Sequence, residues 1–364
     1  MKRRDFVAGL GGAAAVAACT PEDRPSASAE TQSQQRFAWK LVTTWPPNFP
    51  GLGTGVNTLK RYIEEMSGGR ISIHVYAAGE LIPALEVFDA VSRGTAEMGH
   101  GAAYYWRGKT EAAQFFATVP FGLNAHEMNG WLYYGGGMEL WREVYEPFNL
   151  VPFAAGNTGV QTGGWFNKRI DSMEDLRGLK MRIPGIGGEV LKRAGGTPVT
   201  LPGSEIFTAL ETGSIDAAEW VGPYNDIASG LHQAAHYYYY PGWQEPGPTL
   251  ECIVNKNAWA GLPDDLKAIV RVACQAANLD MISEYMARNA VSLEQIEADS
   301  SVEFLSFPDD VLAGLKRLTA DVVGDLVASD PQAAKVWESY SAFLERSAPW
   351  QQKSEQAYLE TRQL

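Results

Sequence analysis

Two charged residues set in short apolar stretches carry most of the chemistry that this sequence offers. Arg182 lies in Leu176-Arg177-Gly178-Leu179-Lys180-Met181-Arg182-Ile183-Pro184, a strand pattern with Lys180 and Arg182 on one face and Met181 and Ile183 on the other. An arginine entering a cleft offers a planar fork of donors suited to a carboxylate. A solvated basic edge fits the same spacing, and Arg177 and Lys180 read that way. Glu219 lies in Asp216-Ala217-Ala218-Glu219-Trp220-Val221-Gly222-Pro223-Tyr224-Asn225, among small apolar residues. A buried carboxylate needs a partner, a cation or a proton. Glu219 can therefore be a hard-cation ligand beside carbonyl oxygens, or the ion-pair partner of Arg182. Asp216, just after Gly213, fits local backbone capping.

Other chemistry is poorly supplied. Tyr237-Tyr238-Tyr239-Tyr240 is an aromatic strand followed by Pro241-Gly242-Trp243-Gln244-Glu245, where Gln244 or Glu245 adds oxygen acceptors near a strand end. His232 and His236 have the one-turn spacing of zinc hydrolases, but Gln233 stands where the general-base glutamate belongs. No Gly-x-Ser-x-Gly elbow, P-loop or dinucleotide fingerprint occurs, and no nucleophile is paired with a base.

The elements that must position these residues alternate between strand and helix. Phe37 to Thr43 reads as a strand, Gly55 to Ser67 as a helix, Ile71 to Tyr76 as a strand, Glu86 to Ser92 as a helix and Ala96 to Gly101 as a short strand. This predicts mainly parallel sheet covered by helices. The helix–glycine–strand unit from Glu86 to Tyr105 has an echo from Glu205 to Tyr224, at an offset of 119. One unit in each of two lobes explains it, and places His100 and Glu219 at matching strand ends, where ligands of open α/β sheets gather. A helical pattern follows from Pro263 to Asp299, another begins at Pro308, and a long one runs from Pro331 to the C-terminus. A terminal helix with little of its own lobe to cover suits a partner subunit. Cys252 in a strand and Cys274 in a helix read as buried thiols.

Lys2-Arg3-Arg4-Asp5-Phe6, followed by a weakly apolar run to Ala18, has the layout of an export signal and resembles the twin-arginine type. Val16-Ala17-Ala18-Cys19 resembles a lipobox, with Cys19 as the lipidated residue. Residues 1–18 are therefore read as the signal and residues 19–36 as a flexible tether rich in Pro, Ser, Ala, Glu and Gln. Thirty Lys and Arg against 43 Asp and Glu give a net charge of −13, which argues against a nucleic-acid partner. Three cysteines without a Cys-x-x-Cys pair exclude a disulfide scaffold or zinc ribbon.

From about Phe37 to its end the chain resembles the periplasmic solute-binding proteins of tripartite ATP-independent periplasmic (TRAP) transporters. The matching stretches are Leu176 to Pro184, Gly196-Thr197-Pro198-Val199, and Ala209-Leu210-Glu211-Thr212-Gly213-Ser214-Ile215-Asp216. The resemblance implies an α/β, two-lobed periplasmic binding protein (type II-like) with a cleft between lobes, a long spanning helix and C-terminal helices. Lobe I is expected over residues 37–157 and lobe II over 158–249. The chain then returns to lobe I and forms the spanning helix over 250–299, leaving the C-terminal helices, with a homodimer element, over 300–364.

In that family the arginine of the Met-Arg-Ile-Pro stretch meets the substrate carboxylate, so Arg182 takes this role by resemblance. Glu219-Trp220 stands where many members have an asparagine-containing anchor, and with Gln161 it looks like the branch that binds 2-oxo and hydroxy acids with a metal ion. By resemblance Gln161, Glu219 and the Trp220 carbonyl hold the cation, and Gln244 or Glu245 completes the shell. Tyr104, Tyr105, Trp220 and Trp243 are expected to wall the ligand's carbon tail. Oxygen ligands favour sodium or calcium ahead of magnesium, and no organic cofactor is implied. Lys168 and Arg169 lie where sialic-acid-type members carry a second arginine. The implied role is periplasmic capture of a small 2-oxo or 2-hydroxy monocarboxylate for a TRAP permease, with no reaction performed. The rivals are a metal-free binder of another carboxylate or a polyol, and an exported metal-dependent enzyme.

Overall fold

The computed structural model describes residues 35–364. The export signal, Cys19 and most of the tether lie outside the described residues. Phe37–Thr43 forms β1 and leads through the Pro46-Pro47 turn to Gly51, whose φ of +68° opens helix α1 (Leu52–Met66). That helix begins three residues before the expected start, and it buries Leu52, Val56, Leu59 and Ile63 at helical spacing. Then come β2 (Ile71–Tyr76), α2 (Val87–Ser92) and β3 (Met98–Gly101), followed by a 3-10 turn, Ala103–Trp106, that carries Tyr104 and Tyr105. Helices α3 (Ala125–Tyr134) and α4 (Gly137–Tyr145) precede β4 (Leu150–Asn157), which ends the first pass through lobe I.

Lobe II holds β5 (Gly164–Phe166), β6 (Lys180–Arg182), α5 (Gly185–Arg193), β7 (Thr197–Val199), α6 (Gly203–Glu211), β8 (Ala217–Ala218), α7 (Pro223–Ala228) and β9 (Tyr237–Tyr240). The chain returns to lobe I as β10 (Thr249–Asn255). It then runs through the 35-residue helix α8 (Asp264–Ala298), which packs on β4 and α1 in lobe I and on α7 in lobe II. This is the spanning helix.

Strand order is β2-β1-β3-β10-β4 in one sheet and β11-β9-β5-β8-β6-β7 in the other, β11 being Glu303–Ser306. Five of the nine strand pairings are parallel, so the expectation of mainly parallel sheet holds narrowly, and each sheet is mixed. β10 runs antiparallel to β3 and β4, and β5 runs antiparallel to β8 and β9. β5 and β10 each follow a crossing between the lobes, and alternation along the sequence does not record the direction in which a strand runs.

Residues 300–364 are not helical throughout, because β11 pairs with β9 before α9 (Asp309–Ser329) begins. α9 packs on α5 of lobe II, and α10 (Pro331–Gln351) returns to α3 and α4 of lobe I. Tyr340 of α10 is fully buried, and its hydroxyl accepts the Leu123 N–H at 2.7 Å. The terminal helix therefore covers its own chain over much of its length, which narrows the partner-subunit expectation to its end. Only its last stretch leaves Trp350, Tyr358 and Leu359 exposed. Cys252 and Cys274 are buried free thiols, as expected.

Glu251 in β10 is wholly buried between the Trp106 indole N–H and the Tyr145 hydroxyl, and burial pushes its carboxyl up to about 7. Between the ordinary carboxylate range and that value the folded chain keeps a proton that the unfolded chain has lost, so this group's contribution to stability falls as pH rises. Across the window the loss is about 3 kcal/mol at most. Chemical unfolding of Glu251→Gln beside the parent should therefore give a variant that gains relative stability from pH 5 to 8. A difference independent of pH would refute this.

Candidate functional site

The site lies where the C-terminal ends of β6 and β8 face the loop after β9. Gly164 lets the strands close tightly there: its φ is +110°, and a Cβ would sit 2.6 Å from the Ala218 carbonyl and 2.9 Å from the Glu219 Cα. Gly242 allows a second close approach, since a Cβ there would meet the Gln161 carbonyl at 2.3 Å. These contacts carry Gln161, Glu219, Gln244 and Glu245 into one buried cluster, each no more than 6% exposed.

Arg182, 1% exposed, forms an ion pair from Nη1 with Glu219 Oε1 and also donates to the Glu219 carbonyl at 3.1 Å. Its Nε donates to the Leu201 carbonyl at 3.2 Å, and its Nη2 donates to the Tyr105 hydroxyl of lobe I at 3.0 Å. Of the two sequence alternatives for Glu219, the ion pair with Arg182 is present, and Oε2 is left without a hydrogen-bond partner. Lys180 shares the Arg182 face but stays exposed with Arg177, because only the strand end reaches the cleft. Asp216 accepts the Lys180 N–H at 2.9 Å, as a local cap does.

Polar bookkeeping in the cluster is one-sided. Gln161 donates its amide to Thr158 Oγ1 at 3.2 Å, and Gln244 donates its amide to the Thr162 carbonyl at 2.8 Å. Both amide oxygens are thereby left as acceptors. Gln161 Oε1, Glu219 Oε2, Gln244 Oε1 and Glu245 Oε2 are all buried without a hydrogen-bond partner. Gln161 lies against the Glu245 carboxyl and Gln244 against that of Glu219. Buried acceptors left without a donor call for a proton or a cation.

Burial pushes the Glu219 carboxyl up to about 7 against the pull of Arg182. Burial, then the charge of Glu219, drives Glu245 well above the usual carboxylate range. Burial opposes the Arg182 charge as well, but Glu219 and the tyrosines outweigh it and the guanidinium is held above its ordinary value. Arg182 is thus the group that draws Glu219 toward its charged form, while burial and the Glu219 charge both favour the neutral form of Glu245. Among the described residues no three His, Cys, Asp or Glu converge on a metal-ligating point. Two carboxylates supplemented by amide and main-chain oxygens suit hard cations such as sodium or calcium, and do not suit zinc.

Tyr104 and Tyr105 bring lobe I to the cluster, and burial followed by the Glu245 charge raises the Tyr104 pKa well above its ordinary value. The Trp220 ring lies under the Arg182 guanidinium, 5.2 Å from centroid to carbon, with the Phe49 ring 6.0 Å and the Trp45 ring 6.5 Å away. Trp243 is buried but stacks on Phe121 at 5.8 Å. Sequence reasoning missed Trp45 and Phe49, which flank the Pro46-Pro47 turn. His100, the counterpart of Glu219, has its pKa lowered to about 4 by burial. Its Nδ1 accepts the Trp45 indole N–H at 2.8 Å, so His100 orients a wall residue.

Lys168 is exposed, and Arg169 pairs with Asp171 and Glu303 outside the cluster. His236 is exposed beyond the Leu231–Ala234 turn that carries His232. A roomier groove of about 530 Å³, lined by Val199, Leu201, Thr208 and Ile215, opens beside α6 but holds none of the four unpartnered acceptors. No described helix is long and apolar enough to cross a membrane.

Known proteins share this architecture. Residues 41–330 match the model for bacterial extracellular solute-binding protein, family 7 (DctP). A monocarboxylate 2-oxoacid-binding periplasmic protein of Nostoc sp. is 41% identical over 358 residues, covering 98% of each chain. A TRAP periplasmic solute-binding protein of Pseudoalteromonas atlantica, solved with bound sodium and pyruvate, superposes with a TM-score of 0.87 at 43% identity over 90% of this chain and 99% of that one. A TRAP transporter solute-binding protein of Bordetella bronchiseptica was solved as a mixed-occupancy dimer, one site holding calcium and picolinate. It gives a TM-score of 0.89 at 36% identity over 90% of this chain and 98% of that one. The chain belongs to family 7 of the bacterial extracellular solute-binding proteins, the periplasmic components of TRAP transporters.

Proposed function

We propose that this protein captures a small 2-oxo or 2-hydroxy monocarboxylate together with sodium or calcium in the periplasm and delivers it to a TRAP permease. The observation that carries this reading is the set of four buried, unpartnered oxygens beside a paired arginine. Gln161, Glu219, Gln244, Glu245 and the Trp220 carbonyl hold the cation. When bound, it supplies a charge able to chelate a carboxylate oxygen and the neighbouring 2-oxo or 2-hydroxy oxygen. Arg182 meets the carboxylate, Gln161 also touches the ligand, and Tyr104, Tyr105 and Trp220 wall its carbon tail. Trp243 closes the floor with Phe121.

Arg182, Glu219 and Glu245 carry one net negative charge when all are ionised, so a cation lets Glu245 stay charged in a dry site. Closing lobe I over the cluster through Tyr105 and Arg182 buries ligand and ion together, and the permease reads that closed state. Lobe I is assigned to residues 37–157 with β10, and lobe II to residues 158–249 with β11. Cys19 anchors the mature chain to the membrane by a lipid. A homodimer forms through the exposed end of the terminal helix, in keeping with Trp350, Tyr358 and Leu359.

A thermal-shift screen of metal-stripped protein tests the reading with small carboxylates, each with and without sodium, calcium or magnesium. A ligand at a hundred times its dissociation constant stabilises by about 2.7 kcal/mol. The expected result is a shift with pyruvate that requires sodium or calcium. No shift with any 2-oxo or 2-hydroxy acid under any cation would defeat the substrate assignment.

A further inference from the structure

Asp226 sits in α7, wholly buried, behind the turn from Glu219 to Gly222. Its Oδ1 accepts the N–H groups of Val221 and Gly222, each at 3.2 Å. Its Oδ2 accepts the Trp165 indole N–H at 3.0 Å and the Tyr238 hydroxyl at 2.8 Å. Thr162 Oγ1 donates to the Tyr238 oxygen at 2.9 Å, which turns the Tyr238 proton toward Asp226. Every partner of this carboxyl is a donor, which favours its charged form against burial, and burial raises its pKa only to about 6. Among the described residues no Lys, Arg or His pairs with it. An ionised carboxylate deep in a lobe without a basic partner is costly, and the four hydrogen bonds satisfy its lone pairs without neutralising its charge.

The position of that charge is informative. The Val221 N–H belongs to the same peptide group as the Trp220 carbonyl. An anion accepting that N–H fixes the plane of the peptide and increases the negative charge on its oxygen. Asp226 also acts on Glu219 through its charge.

We propose that Asp226 is a positioning and valence-selecting residue: it orients and polarises the Trp220 carbonyl toward the cation and adds a fixed negative charge that favours calcium over sodium. The inference rests on the cation site assigned under Proposed function. With Asp226 counted, the four ionised groups carry two net negative charges, a sum that calcium closes and sodium leaves open. The same charge repels the anionic ligand. Removing it therefore acts in opposite directions on the two guests.

The test is calorimetric titration of calcium and of sodium, then of pyruvate at saturating calcium, into the parent chain, D226N, W165F, the double variant W165F/D226N, and E245Q. In D226N an amide N–H can face the Trp165 N–H, and the double variant removes that clash, so one of the two should report on a folded chain. Calcium affinity is expected to fall about tenfold, in the range typical for groups that support metal ligands. Sodium affinity should fall about threefold, because the effect of a fixed charge scales with the charge of the ion. Pyruvate affinity at saturating calcium should hold or rise, and W165F alone should behave as the parent. Equal losses for both cations, or a matching loss for pyruvate, would mean that Asp226 only supports the fold, and unchanged affinities would mean that its charge is not felt. Either result overturns the inference. If the parent takes up no cation, or E245Q takes up calcium as well as the parent does, the cation site itself is wrong and the inference falls with it. Failure of the D226N comparison alone leaves the site standing.

Discussion

In Glu219→Gln, pyruvate and calcium together should no longer raise the unfolding midpoint. The substitution keeps the shape of the side chain, but it turns one of the four unpartnered acceptors into a group that can donate. It also takes from Arg182 the only carboxylate it touches among the described residues. Truncating one side of a buried, hydrogen-bonded charge pair costs about 2–5 kcal/mol in binding. A loss of about 100-fold in affinity would cut the stabilisation by a ligand set at a hundred times the parent's dissociation constant from about 2.7 to about 0.4 kcal/mol. Differential scanning fluorimetry with the metal-stripped variant measures this directly. If Glu219→Gln keeps its ligand affinity, the metal-free reading with another carboxylate or a polyol gains the ground that the chelate reading loses.

Arg182→Met should separate stability from binding. Methionine keeps much of the volume while removing the only cation in the cluster. Glu219 and Glu245 are then left facing each other without a counter-charge, and breaking such a buried pair costs about 3–5 kcal/mol. Calcium should recover more stability in this variant than in the parent, since the ion now supplies the whole positive charge of the site. Pyruvate affinity should nevertheless fall at least as far as in Glu219→Gln, because the guanidinium fork is gone. Urea unfolding with and without calcium, followed by pyruvate titration, gives both signs. Calcium stabilising the variant less than the parent would mean that Arg182 does not balance the carboxylates.

How much of this was legible in the sequence depends on how local the signal was. Arg182 and Glu219 stood out because each sits in a short apolar strand, and burying a charge there demands an explanation. The helix–glycine–strand echo located both lobes because each copy lies within one continuous segment. Asp226 was not legible: its burial comes from Trp165 and Tyr238, which are distant in sequence, and a Gly-Pro before a short helix gives no hint of it. Trp45 and Phe49 were hidden by a proline-rich turn whose residues face the cleft only once α1 packs behind them. Strand direction was lost for the same kind of reason. The alternation of β10 or β5 looks the same whichever way it runs, and β11 is only four residues in an acidic stretch.

The sheet order also bears on how the chain is made. β10, residues Thr249–Asn255, lies between β3 and β4, which are complete by residue 157. Until the ribosome has passed that strand, β3 and β4 each present an unpaired edge, the kind of surface on which chains aggregate. Pairing across so long a separation is also slow to form. An amino-terminal fragment of any length short of β10 therefore cannot mature into half a binding protein, since the first lobe borrows an inner strand from beyond the second.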